Sequence, residues 1–151
     1  MAQANIDLLK KLRNESSASI ADCRVALEEN DNNYDKAVEW LKKRGLEKAE
    51  KKSERETHQG LVESYIHNGG KVGSLIVLLC ETDFVARTDE FKNLAREIGM
   101  QVAAMNPESI EVLLKQEYIR DSSHTMESLI KSIIGKLGEN ITLREFKRFE
   151  I

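Results

Sequence analysis

The chain has 151 residues, room for one medium domain or two small ones. Its formal net charge of −3 speaks against a direct nucleic-acid binder, which usually carries a net basic face. With 32% charged residues, 5% aromatic and no apolar run near the ~20 residues of a membrane span, it reads as a helix-rich globular protein without a membrane partner.

The first residues, Met1-Ala2-Gln3-Ala4-Asn5, lack the basic and apolar regions of a signal peptide. Cys23 and Cys80 lie far apart in apolar patterns, which suits buried free thiols in a reducing compartment. A cytoplasmic location is expected.

Asn5 can cap a first helix with the apolar stripe Leu8, Leu9 and Leu12. Ser16 to Ser19 interrupts it, because serines compete with the helix backbone for hydrogen bonds. Ser19 with Asp22 then opens a second helix that buries Ile20, Cys23, Ala26 and Leu27. Asn33 can cap a third, striped by Tyr34, Ala37, Val38 and Leu41. Lys42, Lys43 and Arg44 suit a helix C-terminus, and Gly45 is expected to end the helix there. These helices make a small module over residues 1–46. Residues 47–58 read as a charged helical linker. Between Lys42 and Glu56 seven basic residues face four glutamates, with no interleaved aromatic of the kind a single-stranded nucleic acid would stack on.

From Gly60 the period changes to two, and residues 59–151 read as an α+β core domain. Val62, Ser64 and Ile66 share one strand face; Leu61, Glu63, Tyr65 and His67 share the other. Asn68-Gly69-Gly70 is a hairpin turn. The return strand, Val72 to Cys80, contains Leu75 to Leu79 without alternation, so cover is expected on both of its faces. Thr88, Asp89 and Glu90 open a long helix with Phe91, Leu94, Ala95, Ile98, Val102 and Met105 on one side, ended by Asn106-Pro107. The stretch from Ile110 to Ile119 fits helix and strand alike. Ser123 or Thr125 opens a last helix with Met126, Leu129, Ile130, Ile133 and Leu137 inside, ended by Gly138. The tail from Ile141 alternates as a strand whose apolar face, Ile141, Leu143, Phe149 and Ile151, is interrupted by Glu145 and Lys147.

No catalytic centre emerges, and the chain does not read as an enzyme. Cys80 ends an apolar strand, where a thiol is inert. His58, His67 and His124 have no zinc-ligand spacing, and no glycine loop cradles phosphate, so neither metal nor cofactor is expected. Most informative is the connector Cys80-Glu81-Thr82-Asp83-Phe84-Val85-Ala86-Arg87. In one reading Phe84 and Val85 tuck under it as core anchors. In the other Phe84 stands outside as a partner-binding anchor, oriented by Asp83.

The run Thr82-Asp83-Phe84-Val85-Ala86, with Cys80-Glu81 before it and Thr88-Asp89-Glu90-Phe91 after it, resembles the signature of the translation elongation factor Ts family. Asp22-Cys23-Arg24, Lys36 to Leu46, Leu113 to Tyr118, and Leu137-Gly138-Glu139-Asn140-Ile141 with Arg148-Phe149-Glu150 resemble the same family, so the likeness covers nearly the whole chain. Several differences stand out. Ser17 and Ser19 occupy a turn where glycines are usual, and Ile20-Ala21 stands where two methionines are common. The segment after Asn106-Pro107 is short, and no second Thr-Asp-Phe core half follows. The resemblance implies an α+β protein: a three-helix module like the ubiquitin-associated fold, and a three-stranded antiparallel sheet with helices on one face. It implies a guanine-nucleotide exchange factor that binds elongation factor Tu, GDP-bound and nucleotide-free. Release of GDP would follow from insertion of Asp83-Phe84 and disturbance of Mg²⁺ and phosphate binding. The implied contact residues are Thr82, Asp83, Phe84 and Val85, with Arg13, Ile20 and Arg24 from the first module and Gln101 from the long helix. Single-core members of the family also pair through the sheet, which implies a homodimer. The competing readings are a helical adaptor without exchange activity and a protein that associates with RNA through its basic linker.

Overall fold

The computed structural model describes residues 2–151; Met1, where the segment read for a targeting signal begins, lies outside them. Helix α1 (Ile6–Ser16) starts because the Asn5 side chain accepts the amides of Asp7 and Leu8 at 3.0 and 3.1 Å. It ends at Ser17, whose φ of +54° lies in the left-handed region. A side chain is crowded there and glycine is at ease. Ser17→Gly is therefore expected to raise the melting temperature by roughly 2–4 °C, the equivalent of about 1 kcal/mol of relieved strain. A calorimetric transition that moves down instead contradicts this.

Ser19 caps α2 (Ile20–Glu29): its hydroxyl accepts the Asp22 amide and donates to the Asp22 carboxylate at 2.7 Å. Asn33 caps α3 (Tyr34–Lys52). Leu12, Cys23, Ala26, Leu27, Ala37 and Leu41 form the buried cluster of these three helices.

The second unit begins with β1 (Gln59–Ile66) and β2 (Val72–Cys80), joined by a loop in which Gly69 and Gly70 take φ of +91° and +72°. The one-turn helix α4 (Asp83–Ala86) and the long α5 (Asp89–Met105) follow. Next come α6 (Ile110–Lys115) and a small hairpin of β3 (Glu117–Tyr118) and β4 (Asp121–Thr125). Then α7 (Met126–Leu137), capped by Thr125 and closed by Gly138 at φ +80°, leads into β5 (Ile141–Glu150). The main sheet has the order β1-β2-β5, antiparallel throughout. Ile76, Leu78 and Cys80 of β2 are buried with Phe91, Leu94, Ile98 and Val102 of α5 and Met126, Ile130 and Ile134 of α7. The protein is thus α+β, with its helices on one face of the sheet. Among the described residues no helix is long and apolar enough to cross a membrane.

Besides Ile20 and Met105, which the stripes place inside but which stand exposed at helix ends, four features depart from the sequence expectations. First, α3 does not stop at Gly45 but continues to Lys52 and carries Ala49 into the larger core. Helix α7 crosses there: a Cβ on Gly135 of α7 would lie 3.0 Å from the Gly45 Cα, so it is Gly135 that serves the close approach, and Gly45 lies mid-helix and does not end it. Second, β2 is covered on one face only. Val62, Ile66, Leu75 and Phe149 remain exposed on the other.

Third, β5 carries a bulge. Val77 pairs with Glu145 but Leu78 pairs with Leu143, which leaves Arg144 as an extra residue. One extra residue swaps the faces of everything beyond it. Ile141 and Leu143 therefore face the helices, Phe146 takes over inside, and Glu145, Lys147 and Phe149 turn to the bare face. Fourth, the β3–β4 hairpin has no counterpart in the hydrophobic pattern, because Asp121-Ser122-Ser123-His124-Thr125 is polar throughout.

Candidate functional site

At the end of β2 the chain makes one turn, α4, before α5 begins. The Thr82 hydroxyl accepts the Val85 amide at 3.4 Å and starts that turn. The same residue is held from across the fold. Its backbone N–H donates to Glu139 Oε1 at 2.9 Å, and its hydroxyl donates to Glu139 Oε2 at 2.8 Å. Glu139 is a bidentate acceptor, and hydrogen bonds to a charged acceptor are the stronger kind. At the other end the Thr88 hydroxyl donates to the Val85 carbonyl at 2.8 Å and accepts the Phe91 amide at 3.3 Å.

Asn140, buried beside Glu139, ties in the neighbouring segments. Its amide donates to Glu81 Oε1 at 2.7 Å, and its side chain donates to the carbonyls of Ser53 and Arg55. Arg55 approaches the same Glu81 carboxylate at 3.6 Å. The turn is therefore fixed at both ends by strand, helix and linker.

Within it the side chains part company. Ala86 is buried and Val85 packs against the core, whereas Phe84 is 78% exposed. Asp83 pairs with Arg87 one turn later at 3.0 Å, on the exposed side of the turn. Burying a phenylalanine is worth ~1.5–3 kcal/mol, and within this chain the Phe84 ring forgoes that gain.

Cys80 donates its thiol to the Thr82 carbonyl at 3.1 Å. Burial pushes its pKa up to about 11, with the Glu139 charge adding to the rise. Because the folded value lies above the ordinary ~8.5, the unreactive thiol form persists through neutral and mildly alkaline pH. With Cys23 also fully buried, the native protein is expected to resist iodoacetamide, and to take up two adducts once denatured. Rapid labelling of the native protein, read by mass spectrometry, overturns that account.

The other sequence-predicted contacts are scattered. Arg13 on α1 and Ile20 and Arg24 on α2 are exposed on the N-terminal helices. Gln101 is fully buried. Its side chain donates to the Glu117 carbonyl at 3.0 Å and accepts the Ile119 amide at 3.1 Å, so it holds the β3 segment against α5 and offers no surface of its own. Sequence reasoning missed the anchoring roles of Glu139 and Asn140. Their signal was their place immediately after the Gly138 helix stop, where the chain turns back toward the connector.

Comparison with known proteins gives the geometry a family context. A family model described as Elongation factor TS matches residues 81–151, from the connector to the end of the chain. Elongation factor Ts of Rippkaea orientalis is 40% identical over 195 residues, covering 99% of this chain and 78% of that protein. The Synechococcus elongatus protein of the same name is also 40% identical over 195 residues, with 99% and 88% covered. The Nostoc sp. protein is 44% identical over 151 residues, all of this chain but 48% of its own length. Alignments of 195 positions against 151 residues mean that the first two relatives carry segments this chain lacks.

Proposed function

This chain belongs to the elongation factor Ts family of translation elongation factors, and from that premise we propose that it releases GDP from elongation factor Tu by inserting the Asp83-Phe84 turn. The observation that carries this reading is the exposure of Phe84 on a turn anchored by Thr82 to Glu139. A GTPase holds its nucleotide partly through Mg²⁺ bridging the phosphates and a protein hydroxyl. A ring pressed into an apolar crevice of the G domain moves the elements that hold Mg²⁺, and the rigid turn delivers the push. A flexible loop would yield instead. No bond is made or broken, so the protein acts as a binding partner and not as an enzyme.

Arg13, Ile20 and Arg24, exposed on the helices of residues 1–46, provide a second contact with the same GTPase. Two contacts on one body make the second effectively intramolecular. The bare sheet face is assigned to a second copy of this chain. It displays Val62, Ile66, Leu75 and Phe149 with Glu145 and Lys147, and a two-fold axis can set Glu145 of one chain against Lys147 of the other.

Linkage supplies the test. A partner that weakens nucleotide binding must itself bind the nucleotide-free GTPase more tightly, by the same factor. Titration calorimetry is expected to give an affinity for nucleotide-free elongation factor Tu at least ten-fold above that for the GDP-bound form. Equal affinities rule out exchange by this route.

A further inference from the structure

The crossing of α3 and α7 is made where neither helix has a side chain. A Cβ on Gly135 would stand 2.9 Å from the Gly45 carbonyl oxygen, 3.0 Å from its Cα and 3.2 Å from its carbonyl carbon. Those atoms are backbone and cannot swing aside, so the helices would have to part. The reverse does not hold, since a Cβ on Gly45 would meet nothing within 4 Å. Both glycines line a cleft of about 550 Å³ between the N-terminal helices and α7. Glycine in a helix interior is destabilising relative to alanine, so Gly135 needs a reason, and the close approach supplies it.

The contacts around the crossing make a rigid joint. One turn further along α3, Ala49 is buried in the same core as Ile130 and Ile134 of α7. Lys131 of α7 reaches Glu50 at 3.8 Å, and on the other side Lys48 binds the Asp22 carboxylate of α2 at 2.6 Å. Helix α3 is one rod with its first half in one buried cluster and its second half in the other. From Gly45 back to Tyr34 it extends roughly 16 Å at 1.5 Å per residue, so a small tilt at the crossing is magnified at its far end.

We propose that the Gly45–Gly135 crossing sets the position of the N-terminal helices relative to the Phe84 turn, with Gly135 as the positioning residue. This rests on the exchange reading above, in which both surfaces meet one GTPase. Fixing them on one body lets the second contact form without a further search. A shifted joint loses that gain but leaves the Phe84 turn intact. The loss falls on affinity and not on the maximal rate of GDP release.

The test compares Gly135→Ala with Gly45→Ala, the same change on either side of one contact. Labelled-GDP release from elongation factor Tu is followed over a concentration series of each variant. Gly135→Ala is expected to raise the half-saturating concentration ten-fold or more with the plateau rate within two-fold, and Gly45→Ala to change neither by more than two-fold. Equal behaviour of the two variants overturns the proposal. Spin labels on Glu39→Cys and Lys92→Cys give a readout independent of exchange, since both native thiols are buried. Their distance distribution is expected to shift in Gly135→Ala and to stay put in Gly45→Ala; an unshifted distribution in Gly135→Ala also overturns it. If the unsubstituted protein releases no GDP, the exchange reading fails by itself and the label distance alone decides on the joint. Should Gly135→Ala not fold, Ala49→Val wedges the same pair of helices one turn away, with the same expected and overturning results.

Discussion

Phe84→Ala is expected to cut stimulated GDP release from elongation factor Tu by ten-fold or more while leaving the fold intact. The ring is 78% exposed, so its removal opens no cavity and the melting temperature should hardly move. Its partner surface, by contrast, loses an anchor. Truncating such anchors commonly costs ~2 kcal/mol or more, and ~1.4 kcal/mol is already ten-fold. Stopped-flow fluorescence and thermal melting on the same sample separate the outcomes. A variant that unfolds, while its residual folded fraction exchanges normally, would make Phe84 a core residue and contradict the assignment.

The second large effect concerns assembly. Light scattering at high concentration is expected to give about twice the chain mass of 17.2 kDa. Leu75→Glu should return it to a single chain without loss of secondary structure. Leu75 lies in the middle strand of the bare face, opposite Ser64 on one side and Lys147 on the other. A glutamate there would add a buried charge to a face-to-face pair and compete with Glu145 of the other chain for Lys147, which is unfavourable. A mass near that of one chain across the whole dilution series contradicts the pairing.

Much of the fold was legible because local chemistry and tertiary structure agree. Asn5, Ser19, Asn33, Thr88 and Thr125 all cap helices whose apolar stripes, Ile20 and Met105 at helix ends excepted, mark the buried side. The reading failed where a distant contact decided. Lys42-Lys43-Arg44-Gly45 has the chemistry of a helix end, yet it lies mid-helix, where α7 crosses. In β5, Glu145 and Lys147 looked like charges intruding on an apolar face. The bulge shows that the face itself changes after Leu143, and no periodicity reports a single unpaired residue.

The candidate site was readable only in part, for the same reason. A four-residue turn has no period, so pattern alone could not tell Phe84 outside from Phe84 inside. What fixes the turn is Glu139, far along the chain and bonded to both Thr82 groups. Gln101 was grouped with the contacts by its place in the motif. Its burial and its bonds to Glu117 and Ile119 give it a structural task within the core unit.

We propose that this chain drives GDP off elongation factor Tu through a rigid exposed turn. Stopped-flow release of fluorescent GDP, with unlabelled GDP in excess, measures it directly. The release rate should climb with the concentration of this protein and level off at least ten-fold above the spontaneous rate. A rate that stays at the spontaneous value, with complex formation demonstrated in the same buffer, would contradict the claim and leave a binding protein without exchange activity.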